Sequence, residues 1–196
     1  MKYSQLPADM FKNIQFNAGM IVTEFNLETG IAPDNAQVGA TSGGINFTAT
    51  PSYSDYGEDI DNCPKNMKEM KRLDSWEAKL SGTFVSLKTE AGAMLCAAAD
   101  VSNGGIIPRS VLKSTDFKDL WVIGDYSEIN EDGTTGKAGF MAIKLLNALS
   151  TGGFQLQTGD KAKGQFSFEF TGHYSMDAPE KVPFEIHIKQ GTADAA

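Results

Sequence analysis

The chain has 196 residues, 41% hydrophobic and 21% charged, the proportions of one globular domain with enough apolar material for a sizeable core, which excludes wholesale disorder. Seventeen basic against 25 acidic side chains leave a formal net charge of -8, which is repelled by a phosphate backbone and disfavours a nucleic-acid-binding module. No apolar run approaches the roughly 18 residues of a membrane span, and Met1 to Asp9 lacks the apolar stretch of a signal peptide, so the expectation is a protein made and kept in the cytoplasm.

In chain order, residues 1–17 combine polar positions with isolated anchors, Met10, Phe11 and Phe16, and read as a flexible N-terminal arm that orders on docking. Gly19 to Phe25, rich in β-branched and apolar residues, reads as a strand. Gly39 to Gly44 lacks P-loop spacing and is read as the entry to a second strand. Residues 51–75 form a long excursion between strands, acidic in its first half (Asp55, Glu58, Asp59, Asp61) and basic in its second (Lys65, Lys68, Lys71, Arg72). Trp76, Ala78, Leu80, Gly82 and Phe84 then alternate with Glu77, Lys79, Ser81 and Thr83, the period-two signature of a half-buried strand.

Thr89 to Ala98 is the helix candidate, with Thr89 as its cap, Glu90 at the positive end of the dipole, and Ala91, Met94, Leu95 and Ala98 on one apolar face. Asn103-Gly104-Gly105 is its expected stop. Ser114 to Asp119 reads as a short helical turn, Leu120 to Gly124 as a strand and Asn130 to Gly136 as the turn after it. Ala138 to Leu149 is apolar on both faces, and periodicity alone does not separate a buried helix from a strand covered on both sides. Near the end, Phe166, Phe168, Phe170 and Tyr174 alternate with polar residues, as do Val182, Phe184, Ile186 and Ile188. The short turn-like Ser175 to Glu180 between them predicts that these two strands pair antiparallel, and residues 191–196 read as a frayed tail.

Signals for chemistry are sparse. Cys63 and Cys96 are isolated and expected as reduced thiols, and His173 and His187 read as strand residues rather than ligands. The four acids of the excursion have the donor type calcium prefers but not the spacing of an EF-hand, so a solvated loop is the preferred reading. No G-x-S-x-G elbow is present, Cys96 has no base signalled nearby, and Asp59 and Asp61 lie in a polar turn that offers no desolvation to raise a carboxyl pKa. The expectation is a non-enzymatic protein with no catalytic residue, cofactor or metal. A monomeric carbohydrate-binding β-sandwich is an alternative, with Trp121, Tyr53 or Tyr56 as sugar-stacking platforms.

The order and spacing of Ser42-Gly43-Gly44, Asp55-Tyr56-Gly57-Glu58-Asp59-Ile60-Asp61-Asn62 and Leu149-Ser150-Thr151-Gly152-Gly153-Phe154, with the strands around Phe166 and Phe184, resemble the major tail (tail tube) proteins of long-tailed phages of Gram-positive bacteria, over nearly the whole chain. The resemblance implies one domain, a mainly β antiparallel sandwich or barrel with one flanking α-helix, assembling into stacked hexameric rings through which DNA passes without specific binding. It further implies a place in the virion tail after assembly in the host cytoplasm, and tape measure, tail terminator and distal tail proteins as partners. The inner tube of a contractile tail or injection system, which shares this fold, is the alternative within the resemblance. Under it, Ala138 to Leu149 is read as a strand whose outer face a neighbouring subunit covers, and the excursion as the contact to an adjacent ring, its acidic half meeting the basic half of another copy.

Overall fold

A computed structural model describes residues 17–126 and 139–189. Eleven strands are named among them: β1 (Met20–Val22), β2 (Gln37–Gly39), β3 (Thr41–Asp55), β4 (Lys71–Phe84), β5 (Ala99–Ser102), β6 (Gly105–Pro108), β7 (Lys118–Asp125), β8 (Phe140–Ser150), β9 (Gln155–Gln157), β10 (Gln165–Thr171) and β11 (Phe184–Lys189). One α-helix, α1 (Thr89–Leu95), joins them. The chain is mainly β, with one large antiparallel sheet and a flanking helix, as the alternating apolar pattern predicts.

The large sheet runs β2-β1-β7-β8-β10-β4-β3 and folds into two layers because β8 serves both. Along its first half β8 pairs with β11, Phe140 to Leu145 against Lys189 to Phe184; at its end Leu149 and Ser150 pair with Thr171 and Phe170 of β10. Asn147, with φ of 47°, sits at the crossing between them, in the left-handed region that asparagine tolerates better than most residues. Its backbone N–H donates to Asp119 Oδ1 (3.0 Å), its Nδ2 donates to the His173 carbonyl (3.1 Å), and its own carbonyl lies 3.1 Å from His173 Nδ1. The two layers enclose a core in which Ile21, Leu80, Phe84, Leu95, Leu120, Leu145 and Phe170 are fully buried or nearly so. Removing each such side chain from water contributes about 1.5–3 kcal/mol.

Several expectations are corrected. The strands β10 and β11 do not pair with each other: both run antiparallel to β8, hence parallel to one another, and the segment between them crosses from one layer to the other. Hydrogen bonds from Gly172 N to the Ala78 carbonyl, from His173 N to Leu146 O and from Leu146 N to Pro183 O stitch that crossing. Residues 138–149 do form a strand within the described part, β8, and the chain itself covers much of both its faces. One face packs into the main core, and the other joins a second core of Val22, Trp121, Ile123, Phe140 and Ala142 roofed by Phe25, Leu27 and Ala32 of the same chain.

The helix also differs in detail. It is shorter than predicted, Thr89 is its first helical residue, and Lys88 occupies the cap position without a side-chain cap bond. It stops at Cys96 because Ala97 turns left-handed (φ 61°), and Asn103-Gly104, at φ 47° and 75°, instead form the turn of the β5–β6 hairpin, the geometry that Asn-Gly favours. Its buried face, Ala91, Gly92 and Leu95, closes one end of the sandwich. Ser114–Asp116 is a single 3-10 turn, as expected for a short helical stretch. The predicted strand Gly19 to Phe25 is reduced to Met20–Val22. The predicted turn at 130–136, most of the arm at 1–17 and the tail at 191–196 lie outside the described residues.

Candidate assembly surface

The excursion predicted over residues 51–75 is strand at both ends. β3 and β4 continue into it as one long antiparallel hairpin, Asp55 pairing with Lys71, and only residues 56–70 form the loop at its tip. Proline at 51 is tolerated because β3 is an edge strand, where a missing N–H costs no inner ladder bond. A bulge between Ser52 and Tyr53 leaves Asp74 as the extra residue and increases the local twist. Ser54 Oγ donates to the Asp74 carboxylate across the bulge.

Support for the hairpin ends before its tip does. β10 lines the second edge of β4 from Phe84 to Lys79; beyond it, Gly172 N bonds the Ala78 carbonyl and Trp76 N donates to Tyr174 Oη (2.8 Å). From Ser75 to Lys71, β4 has only β3 beside it, and the outer edge of β3 has no strand partner among the described residues. The distal part is therefore a two-stranded ribbon, a form marginal in water without a cover. It carries a concentration of large apolar surface: Tyr53 is 53% exposed, Tyr56 58%, Ile60 50% and Leu73 45%.

The charged residues of the tip divide into two groups. Asp55 is a brace: its Oδ1 accepts the Gly57 N–H (2.9 Å) and its Oδ2 the Asn66 N–H (3.1 Å), which holds the two ends of the loop together. Lys71 Nζ lies 5.4 Å over the Tyr53 ring and 3.5 Å from Asn66 Oδ1, and Arg72 Nη1 donates to Tyr56 Oη (3.3 Å). Among the described residues Lys68 pairs only with its neighbour Glu69. Glu58, Asp59, Asp61 and Lys65 are exposed, and no ion pair among the described residues joins the acidic half to the basic half. Nor do any three His, Cys, Asp or Glu side chains among the described residues gather as a metal-ligand group.

A second charged site, beside α1, was not legible in the sequence. Arg109 lies between Asp100 (Nε to Oδ1, 3.0 Å) and Asp116, and donates from Nη1 to the Val111 carbonyl (2.7 Å). Asp116 also accepts the Lys113 backbone N–H (2.7 Å), and that bond, together with Arg109, holds its carboxyl below the usual range. These groups line a cleft of about 660 Å³ that also includes Glu24, Glu90 and Lys118. Its best-buried charges, Arg109 and Asp116, pair with each other, although Arg109 Nε makes no hydrogen bond among the described residues, so it reads as a brace for the β5–β6 hairpin rather than a ligand site.

The sugar-stacking alternative loses one of its three platforms and keeps Tyr53 and Tyr56 exposed. Trp121 is only 8% exposed, its ring 5.7 Å from that of Phe25 and covered at 5.3 Å by Lys144 Nζ. Cys63 and Cys96 are free thiols, and burial pushes the Cys96 thiol up, away from a reactive thiolate. No helix among the described residues is long and apolar enough to cross a membrane. Compared with known protein families and with curated proteins, the chain matches no family model and no curated sequence.

Proposed function

We propose that this chain is a structural subunit that self-associates into stacked rings, the tail tube of a long-tailed phage, acting as the conduit through which the genome leaves the capsid and not as an enzyme. The observation that carries this reading is the projecting β3–β4 ribbon, with exposed Tyr53, Tyr56, Ile60 and Leu73 and with no ion pair among the described residues between the acidic and basic halves of its tip. Such a ribbon in a lone soluble subunit is an aggregation liability; a second copy that covers it removes the liability. The mainly β sandwich with one flanking helix agrees with the architecture that the resemblance implies. The net charge of -8 suits a conduit that DNA crosses without adhering.

Negative-stain electron microscopy across concentrations, with light scattering for mass, tests it. Hollow rings or tubes are expected, and a strictly monomeric species at high concentration counts against the reading. The double variant Lys71→Glu/Arg72→Glu is expected to lower polymer formation while the circular dichroism and melting temperature of the subunit stay near those of the parent. Unchanged polymerisation would remove the tip charges from the contact.

A further inference from the structure

Among the described residues the ribbon is an apolar donor without a receiver, and the fold has a receiver without an occupant. The inner face of the β7–β8–β11 layer extends past the layer opposite it. There Val122, Met141 and Ile143 form a trough with Ile45 and Phe47 of β3, about 290 Å³ in volume. The register carries this face outward onto β11, where Ile186 stands opposite Ile143 and Ile188 opposite Met141. The alternation of β11 therefore predicts its faces correctly but not their fate: Ile186 is 50% exposed and Ile188 62%. A trough this small, open along one side, is below the usual size of small-molecule sites, about 300–1,000 Å³, and suits one or two side chains presented on an extended strand.

The geometry points to the hairpin tip of a second copy of this chain as the occupant, an inference that rests on the self-assembly reading and adds to it the receiving surface. Tyr53 and Leu73 are cross-strand partners, so they stand on one face of the ribbon as an adjacent apolar pair. They cannot fill the trough of their own chain, because the trough lies at the root of the same hairpin: six residues of extended strand, about 20 Å, separate Phe47 from Tyr53. Charge agrees with the pairing. Lys71 and Arg72 precede Leu73 and outnumber Asp74, which follows it, and the exposed Asp125 follows Gly124, which lines the trough.

Tip on root is a head-to-tail contact between different surfaces of identical subunits, so each copy added leaves a fresh root and a fresh tip, and the assembly propagates. The hairpin also sets the step. Phe47 and Ile45 at the root lie six and eight residues from Tyr53 in the docking pair, giving an axial repeat of about 20–26 Å at roughly 3.3 Å per residue if the ribbon lies along the axis.

Cysteine cross-linking tests the contact in the full chain carrying Cys63→Ser and Cys96→Ser. Tyr53→Cys and Ile188→Cys proteins, both altered at exposed positions and each checked for unchanged melting, are mixed with a short bis-maleimide and imaged in parallel. A covalent heterodimer in the mixture is expected, absent when Val111→Cys, an exposed site elsewhere, replaces Ile188→Cys. Ile188→Glu is expected to raise the concentration at which polymer appears at least about tenfold, an effect of about 1.4 kcal/mol. Rings or tubes in the micrographs without a 53–188 cross-link would overturn the trough as receiver and leave self-assembly standing. A cross-link within one chain between Phe11→Cys and Ile188→Cys would give the trough to residues 1–16 and overturn the proposal as well. Absence of any oligomer at all would overturn both readings.

Discussion

Asp116 shows how single residues here serve the scaffold. Its side chain is buried between Arg109 and the Lys113 N–H, and its pKa is held down by the Lys113 backbone bond first and by Arg109 second. A carboxyl whose folded pKa lies below its unfolded value, about 3.9, contributes stability above that value and loses it as the pH falls through the folded pKa. The stability gap between the parent and Asp116→Asn is accordingly expected to be constant from pH 7 down to about 4 and to narrow below it. Urea midpoints measured over that range check this, and a gap that stays constant to pH 2.5 would mean the charge is not what Asp116 contributes. Nothing in the sequence marked this residue, because its partner Arg109 comes from the far side of a loop and meets it only through the backbone path of 109–116. Asn147 was equally silent. Within an apolar run it looks like a minor interruption, yet it bonds both Asp119 and His173 at the point where one strand passes between two layers.

At the scale of elements, alternation was a reliable guide to faces and an incomplete guide to partners. The strand through Trp76 to Phe84 appears with the predicted face inward, Ala78, Leu80 and Phe84 being fully buried. The hairpin expected between β10 and β11 does not form, because a short connection favours pairing only when nothing better lies within reach, and β8 offers β11 a six-residue ladder. The excursion at 51–75 was visible as polar sequence, yet its strand content was not: Ser, Asp, Lys and Arg on a ribbon exposed on both faces carry no hydrophobic period. If that ribbon is an assembly element and not part of the folding unit, replacing residues 57–69 by a two-residue Asn-Gly turn should leave melting within a few degrees of the parent and abolish polymer. Calorimetry and electron microscopy on the same sample check both halves, and a collapse in melting temperature would make the tip structural.

Across the whole molecule, the sharing of β8 joins two layers into one cooperative unit. Trp76 reports on the β3–β4 layer and Trp121 on the layer of β7, so the single-tryptophan variants Trp121→Phe and Trp76→Phe should give coincident urea transitions by fluorescence. Separated midpoints would show that the layers unfold independently despite the shared strand.

The sequence by itself determined the class: alternating apolar residues with turn signals make a mainly β chain, and one Ala-rich stretch makes its helix, because these periods are properties of local backbone geometry. It also determined that charge of both signs would collect at residues 55–72. Only the tertiary structure decided what those residues do, bracing the tip through Asp55 and leaving Glu58, Asp59, Asp61 and Lys65 without an ion-pair partner among the described residues. It alone decided that most of both faces of β8 is covered within the chain, and that the apolar face of β8 at Met141 and Ile143 and of β11 beside it runs out past its cover. The reason is physical: pairing and cover depend on which distant segment arrives on each side of a strand, and period-two alternation carries no record of that.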